Sequence, residues 1–369
     1  MDIKIDISNM KLDPDDIKAR RPEAGKVLDS LWAETGMTGW VQAPLHQNKE
    51  ELEYILNVAD ILKQEAEMMV VIGRDNAVLP AKAAAAALPN TLDGIDIRFA
   101  GQNFCTTALT KLMAEMSRRG TVLCVISKTG EEPEVQAAFS VLKELMVKKY
   151  GGAEHASRRT IVITETGSAL HKEAQQEGYL VFDYPADSSE LYGALTPAGL
   201  FPMAAAGIDI RDFISGAASM AASPQWDSYG ADYAIARGLI RQQCGIELIS
   251  TFDTRFEDLC RWIKQIYQTN EAGKVMTIAG GYYEEHNGSN VFETIISTEK
   301  CVDDIVIPDG ELMGKRLDDY NRRRFAEAME GFAERERYAA YLSIPEVTPY
   351  NYGQLVYFLQ TSCEITAAL

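Results

Sequence analysis

The sequence predicts an α/β protein of two domains, each a mainly parallel sheet with helices on both faces. Three observations carry that reading. The chain has 369 residues, and at roughly 100 to 200 residues per domain this is enough for two. Short apolar runs of the kind that buried parallel strands need alternate with segments of helical spacing. The alternation runs through two successive rounds separated by turn residues, the pattern of consecutive βαβ units.

Taken in order, residues 1–50 read as a polar arm containing Trp32, Trp40 and the stretch GMTGWVQAPL. The spacing of Leu52, Ile55, Leu56, Ala59 and Leu62 predicts a helix over 51–68. A buried strand, MVVIG, follows and ends at Gly73, after which Asp75 or Asn76 can cap a helix through Pro80 to Leu88. Further strands are expected at 95–101, 121–127, 159–165 and 179–185, with helices at 106–119, 132–149 and 170–177 between them. The second round places helices up to about Ala206 and over 210–220. It then places strands at 245–251, 274–280, 291–297 and 337–345, separated by helices. The expected boundaries are therefore an arm at 1–50, a first domain at 51–200 and a second at 201–369.

Composition narrows the function. A net charge of −18, from 54 acidic and 36 basic side chains, argues against a nucleic-acid binder and against an anionic membrane surface, since both need clustered Lys and Arg. No stretch of about 18 apolar residues is long enough to span a bilayer, and the first residues carry no signal-peptide core. Cys105, Cys124, Cys244, Cys260, Cys301 and Cys363 are scattered without a CxxC pair or a Cys/His cluster. They read as buried thiols of a reducing compartment, and no metal site is expected. His46, His155 and His171 sit among polar residues and read as surface groups.

The chemically most telling feature is Ser127-Lys128-Thr129-Gly130, directly after the strand TVLCVI and just before a helix. A turn at the carboxyl end of a parallel strand offers free N–H groups, hydroxyls and a helix N-terminus, a combination suited to a phosphate. Taken alone, the same residues also describe a plain loop capping a helix.

The neighbourhood of that turn extends the argument. ISKTGEEPEVQAAFSVLKELMVKKYG, EGYLVFDYP, GLFPMAAAGIDI and FISGAA resemble bacterial glucose-6-phosphate isomerases, as do FAGQN, WIKQIY, VFETIIS and YNYGQLVYFLQTSCEITAAL. The resemblance runs from about Gly36 to Leu369 in the family's order. It implies two sugar-isomerase-type domains, a cytoplasmic homodimer, a small phosphorylated sugar as substrate, and no cofactor. The implied activity is aldose–ketose isomerisation by proton transfer through an enediolate.

That chemistry makes residue-level demands: a phosphate anchor, a base between C1 and C2, a cation for the enediolate and a proton shuttle for ring opening. By resemblance Ser127, Lys128, Thr129 and Gly130 bind the phosphate, with Glu131 and Glu134 where further hydroxyls are expected. Gly73, Arg74, Gln102 and Asn103 line the pocket, while Asp75, Asn76 and Ala77 replace two glycines and a serine of the family's loop. Leu191 stands in the place of the electrophilic arginine and Phe332 in that of the ring-opening histidine. No counterpart of the family's C-terminal lysine is read before Leu369. Glu285 or His286 falls where the base is expected, although Asn287-Gly288 also marks that segment as a turn. Three outcomes follow: an isomerase of weak or lost parent activity, a non-catalytic phosphosugar or polyol binder, or an isomerase or lyase for another substrate.

Overall fold

The computed structural model describes residues 2–33, 38–89, 93–227, 229–270, 275–285, 288, 290–301, 304–334 and 337–369. Its strands are β1 (Lys4–Asp6), β2 (Met68–Ile72), β3 (Asp96–Ala100), β4 (Thr121–Ile126), β5 (Thr160–Thr164) and β6 (Leu180–Asp183). They continue with β7 (Ile246–Thr251), β8 (Met276–Tyr282), β9 (Val291–Thr298) and β10 (Tyr338–Ile344). Two compact units result, residues 34–211 and residues 1–33 with 212–369.

The 34–211 unit is built on a five-stranded, all-parallel sheet in the order β3-β2-β4-β5-β6. The runs MMVVI, TVLCVI and TIVIT are buried along their whole length. That is the burial of a sheet covered on both faces, where no polar face is needed. Met68, Val70, Ile72, Leu123 and Val125 pack on one face against Phe139, Leu142 and Met146 of the helix Pro133–Tyr150. Each such side chain contributes about 1.5–3 kcal/mol of burial free energy. The helix Lys49–Glu65 starts on Asn48, whose side chain accepts from the N–H groups of Glu50 and Glu51, and it buries Ile55, Val58, Ala59 and Leu62. From β2 the chain steps to β3 on one side, then returns to β4 and proceeds through β5 to β6 on the other. The reversal of strand order therefore falls between β2 and β4.

The other unit carries a five-stranded sheet in the order β1-β10-β9-β7-β8, parallel except for β1. Here the structure differs from the expected arm at 1–50. Lys4, Ile5 and Asp6 pair antiparallel with Ser343, Leu342 and Tyr341. Residues Pro14–Trp32 form a helix with Pro14 in the first turn and the Asp13 side chain accepting from the N–H of Asp15. Arg21 of that helix forks onto Asp232, with Nε–Oδ1 at 2.8 Å and Nη2–Oδ2 at 2.7 Å. Residues 1–33 thus belong with 212–369, because a hydrogen-bonded edge and an ion pair fasten them there.

A second difference concerns the link between β8 and β9. The described residues of the stretch 283–290 form no helix and are irregular. The helix Pro349–Ala368 is buried from Asn351 to Cys363. The Arg237–Glu247 pair beneath it is fully enclosed, with Nε–Oε1 at 2.9 Å and the guanidinium 3.6 Å from the Tyr267 ring centroid. Two thiols, Cys105 and Cys301, are exposed, contrary to the expectation of six buried ones. Among the described residues no helix is long and apolar enough to cross a membrane.

Candidate functional site

The β2/β4 reversal of the 34–211 unit brings together the loops that follow those two strands. Ligands of open α/β sheets bind in the crevice outside the carboxyl ends of the strands at such a point. Gly73 ends β2 in a place no other residue can take: a Cβ there would lie 2.5 Å from Val78 Cγ1 and 2.8 Å from the carbonyl oxygen of Ile126. The tight approach of the two loops depends on it. Gly130 lies in the left-handed region at φ +79°, and a Cβ would come within 2.6 Å of Leu170 Cβ.

The turn Ser127-Lys128-Thr129-Gly130 is closed by its own hydrogen bonds. Ser127 is buried, and its hydroxyl donates to Glu132 Oε2 at 2.6 Å while accepting the N–H of Gly130 at 2.7 Å. Thr129 Oγ1 accepts the N–H of Glu131 at 3.2 Å, and Gln136 Nε2 donates to the carbonyl of Gly130 at 2.8 Å. Lys128 reaches the carbonyl of Ser188 at 3.0 Å, lies 3.9 Å from Glu165 and sits 5.3 Å from the centroid of the Tyr184 ring. Two of the donors expected to face an anion, the Ser127 hydroxyl and the Lys128 ammonium, are thus joined to protein groups, the first of them to the carboxylate of Glu132.

The surrounding charge is negative. Arg74 pairs with Asp75 at 3.0 Å and with Glu134 at 3.6 Å, and its affinity for its proton is raised first by the bond to Asp75 and then by Glu134. Glu190 is half-buried. Burial pushes its carboxyl above the usual range, and the charges of Glu132 and Asp75 push it further. The backbone N–H and the ammonium of Lys128 oppose the shift. A carboxyl raised by burial and by specific charged neighbours at a loop crevice is a candidate proton carrier. Among the described residues no group of three or more His, Cys, Asp and Glu is arranged to hold a metal ion.

The remaining predicted residues are distributed more widely. Gln102 and Asn103 follow β3 and line a largely apolar cavity of about 570 Å³ together with Phe104 and Glu134. Asn103 Oδ1 accepts from the N–H of Cys105. Ala77 is buried, and Leu191 is only 9% exposed on the short helix Glu190–Leu195. Glu285 belongs to the other unit, is exposed, and lines a cleft of about 400 Å³ with Tyr283, Arg324, Glu327 and Arg337. His286 lies outside the described residues. Phe332 is fully buried under the Arg337 guanidinium, 4.4 Å from its ring centroid. Sequence reasoning misses Glu132 and Glu190. Glu132 is the residue before Pro133 at a helix start, where a side chain can turn back onto the preceding loop. Glu190 shows no signal in the sequence beyond its place beside Leu191.

The comparisons with known proteins agree with this architecture. No protein-family model matches the chain. Among curated proteins it is 32% identical over 368 residues to a glucose-6-phosphate isomerase of Symbiobacterium thermophilum, covering 90% of this chain and 82% of that one. It is 29% identical over 365 residues to the enzyme of the same name from Caldanaerobacter subterraneus, covering 90% and 81%. A hypothetical protein from Thermus thermophilus has the same fold, with a TM-score of 0.89, 22% identity and coverage of 99% and 94%. So does a glucose-6-phosphate isomerase from Chlamydia trachomatis, with a TM-score of 0.80, 13% identity and coverage of 100% and 84%. Two parallel sheets, a hydroxyl-bearing turn at the switch point of one of them and a near full-length relative above 30% identity lead to one conclusion: this chain belongs to the glucose-6-phosphate isomerase family.

Proposed function

We propose that this family member holds a small phosphorylated sugar at the β2/β4 switch point and isomerises hexose 6-phosphates at only a small fraction of an ordinary family rate. The observation that carries the reading is the closed arrangement Ser127–Glu132–Gly130, with the serine hydroxyl engaged as donor at 2.6 Å and as acceptor at 2.7 Å. A phosphate entering here must displace a carboxylate, and two like charges in a sheltered site oppose one another. Binding therefore selects weakly for the phosphate, and less binding energy is left to position the reacting carbons.

The catalytic step is weakened for a second reason. The resemblance puts Leu191 where an arginine would stabilise the enediolate, and loss of one such donor typically costs about 100- to 1000-fold. The proton carrier this reading retains at the switch point is Glu190; the resemblance offers Glu285 or His286 instead as the base. Proton transfer between C1 and C2 needs no metal and no organic cofactor. The relatives' shared name supplies glucose 6-phosphate and fructose 6-phosphate as the substrates to test first. A cytoplasmic homodimer is part of the same reading, on the strength of the resemblance.

One observation favours a second reading, a non-catalytic phosphosugar or polyol binder on the same scaffold. Leu191, Ala77 and Phe332 are all buried apolar side chains, so three places of family polarity contribute packing. A polyol would also suit the carboxylates of the site, which accept hydrogen bonds from hydroxyls.

Proton NMR of fructose 6-phosphate in D₂O with stoichiometric protein separates the two. Slow deuterium exchange at the reacting carbon, with traces of glucose 6-phosphate, is expected for the first reading. An unchanged sugar with saturation transfer from the protein supports the binder. An ordinary family rate sinks both.

A further inference from the structure

The second sheet has a switch point of its own. From β7 the chain moves to β8 on one side, returns past β7 to β9, and continues to β10 on the other side. The reversal lies between β7 and β9, the counterpart of the β2/β4 reversal in the first sheet. At its carboxyl end lies a cavity of about 940 Å³, lined by Phe252–Arg255 after β7 and by Ser297–Cys301 at the end of β9. The second of these segments holds the topological place that Ser127–Gly130 holds in the other unit. It likewise carries hydroxyls and a lysine, in Ser297, Thr298 and Lys300, with the Thr298 hydroxyl donating to the Lys300 carbonyl at 3.1 Å.

The floor of this cavity is aromatic. Phe252 is buried and meets Phe325 edge-on with ring centroids 5.4 Å apart, and the Tyr341 ring lies 4.5 Å from that of Phe325. Tyr282 donates to Asn321 Oδ1 at 2.7 Å, and Asn321 donates to the carbonyl of Phe252 at 2.8 Å. These bonds hold floor and wall in one geometry.

The rim carries three cations, Arg255, Lys300 and Arg322, beside three carboxylates that already have cationic partners. Asp253 takes Arg255 at 2.9 and 2.6 Å, Glu299 takes Lys4 at 2.6 Å, and Asp318 takes Arg322 Nε at 2.5 Å. Arg322 also donates through Nη2 to the carbonyl of Glu299 at 2.6 Å. A guanidinium has five N–H donors, so these bonds orient Arg322 without exhausting it.

We propose that this cavity is a second small-molecule site, for a nucleoside monophosphate. The base would stack on Phe325 and Tyr341, and the phosphate would lie against Arg322 and Lys300 near the hydroxyls of Ser297 and Thr298. Three features select that class. Aromatic faces favour a planar heterocycle. The volume lies at the upper end of the roughly 300–1,000 Å³ typical of ligand pockets, beyond the need of a lone hexose phosphate. With Glu299 neutralised by Lys4, Asp253 by Arg255 and Asp318 by Arg322, the charge left over is that of Lys300, which suits one phosphate better than a polyphosphate chain.

Cys301 lines the cavity and is exposed, while the other exposed thiol, Cys105, belongs to the 34–211 unit. Alkylation of both by iodoacetamide, followed by peptide mass spectrometry with and without adenosine monophosphate, reads the site directly. At ligand tenfold above its Kd, Cys301 should react about tenfold more slowly, with Cys105 unchanged. Arg322→Gln and Phe325→Leu should each remove the protection. Because the Arg322 side chain is 55% exposed, Arg322→Gln carries the test should Phe325→Leu misfold. No protection at millimolar adenosine monophosphate overturns the site. Equal protection by inorganic phosphate or fructose 6-phosphate overturns the nucleotide assignment, and protection surviving Arg322→Gln overturns the placement of the phosphate.

Discussion

Ser127 Oγ lies 2.6 Å from Glu132 Oε2, so the hydroxyl that should greet a ligand phosphate is already bonded to a carboxylate of its own loop. The residues involved are five apart and span the end of β4 and the start of the next helix. Removing the charge while keeping an acceptor isolates its effect. Glu132→Gln should bind inorganic phosphate and fructose 6-phosphate more tightly. Two unit charges about 4 Å apart repel by about 4 kcal/mol at an effective dielectric of 20, and solvent and salt leave part of that. A gain of roughly tenfold in affinity, about 1.4 kcal/mol, is therefore expected in calorimetric titration. Unchanged affinity would mean that ligands do not reach this turn.

Glu190 supplies a pH signature. Its carboxyl is held above the ordinary range first by burial, then by Glu132 and Asp75. A group whose folded pKa exceeds its unfolded one binds more protons when folded, so stability falls as pH rises between the two values. Glu190→Gln should therefore raise Tm at neutral pH, and the gain should vanish as pH drops below the ordinary glutamate value. Thermal melts from about pH 4 to pH 8 test this. A gain that persists at the acid end would point to packing instead of charge.

The Arg237–Glu247 pair should behave as a buried ion pair does. Both side chains are fully enclosed, and Thr294 Oγ1 adds a 3.0 Å bond to Glu247. Removing one partner leaves a charge uncompensated in the interior, at a typical cost of about 3–5 kcal/mol. Arg237→Met should lower Tm on the order of 10 °C. Replacing both by Met should recover most of the loss, since apolar packing can substitute for the pair. A double variant as unstable as the single one would show that the charges contribute more than mutual neutralisation.

How much of the molecule is legible in its sequence follows from how local each cause is. MMVVI, TVLCVI and TIVIT declare themselves as covered parallel strands because burial on both faces leaves them near-continuous apolar runs, with only threonines at their ends. Gly73 and Gly130 stand out because backbone geometry demands them. The strand within the expected arm is hidden, because the three residues of Lys4–Asp6 are too few for a periodic signal. Their pairing partner also lies far along the chain, in β10. The Asp13-Pro14 start of the first long helix, by contrast, is a readable signal. A helix between β8 and β9 is expected only by analogy with the neighbouring links, and the described residues between Tyr282 and Val291 form none. Glu132 and Glu190 escape because their roles come from loops folding back on one another, which spacing along the chain does not encode.

Phe332 tests whether the family's chemistry could return by one substitution. The resemblance assigns a histidine there, but the structure encloses the ring beside Tyr283, at a 6.0 Å centroid separation, with the Arg337 guanidinium 4.4 Å away. An imidazole in that place would lose apolar burial and, facing a fixed cation in a dry setting, would resist protonation. It could not serve as a proton shuttle for ring opening. Phe332→His should therefore leave fructose 6-phosphate turnover no higher than in the unmodified chain while lowering Tm, because burying a polar ring without a hydrogen-bond partner typically costs about 1–3 kcal/mol. A coupled assay that reads glucose 6-phosphate, run beside a thermal melt, decides the matter. Rising turnover without loss of stability would mean that this pocket can open to a sugar, and that the family's ring-opening machinery is one residue from restoration.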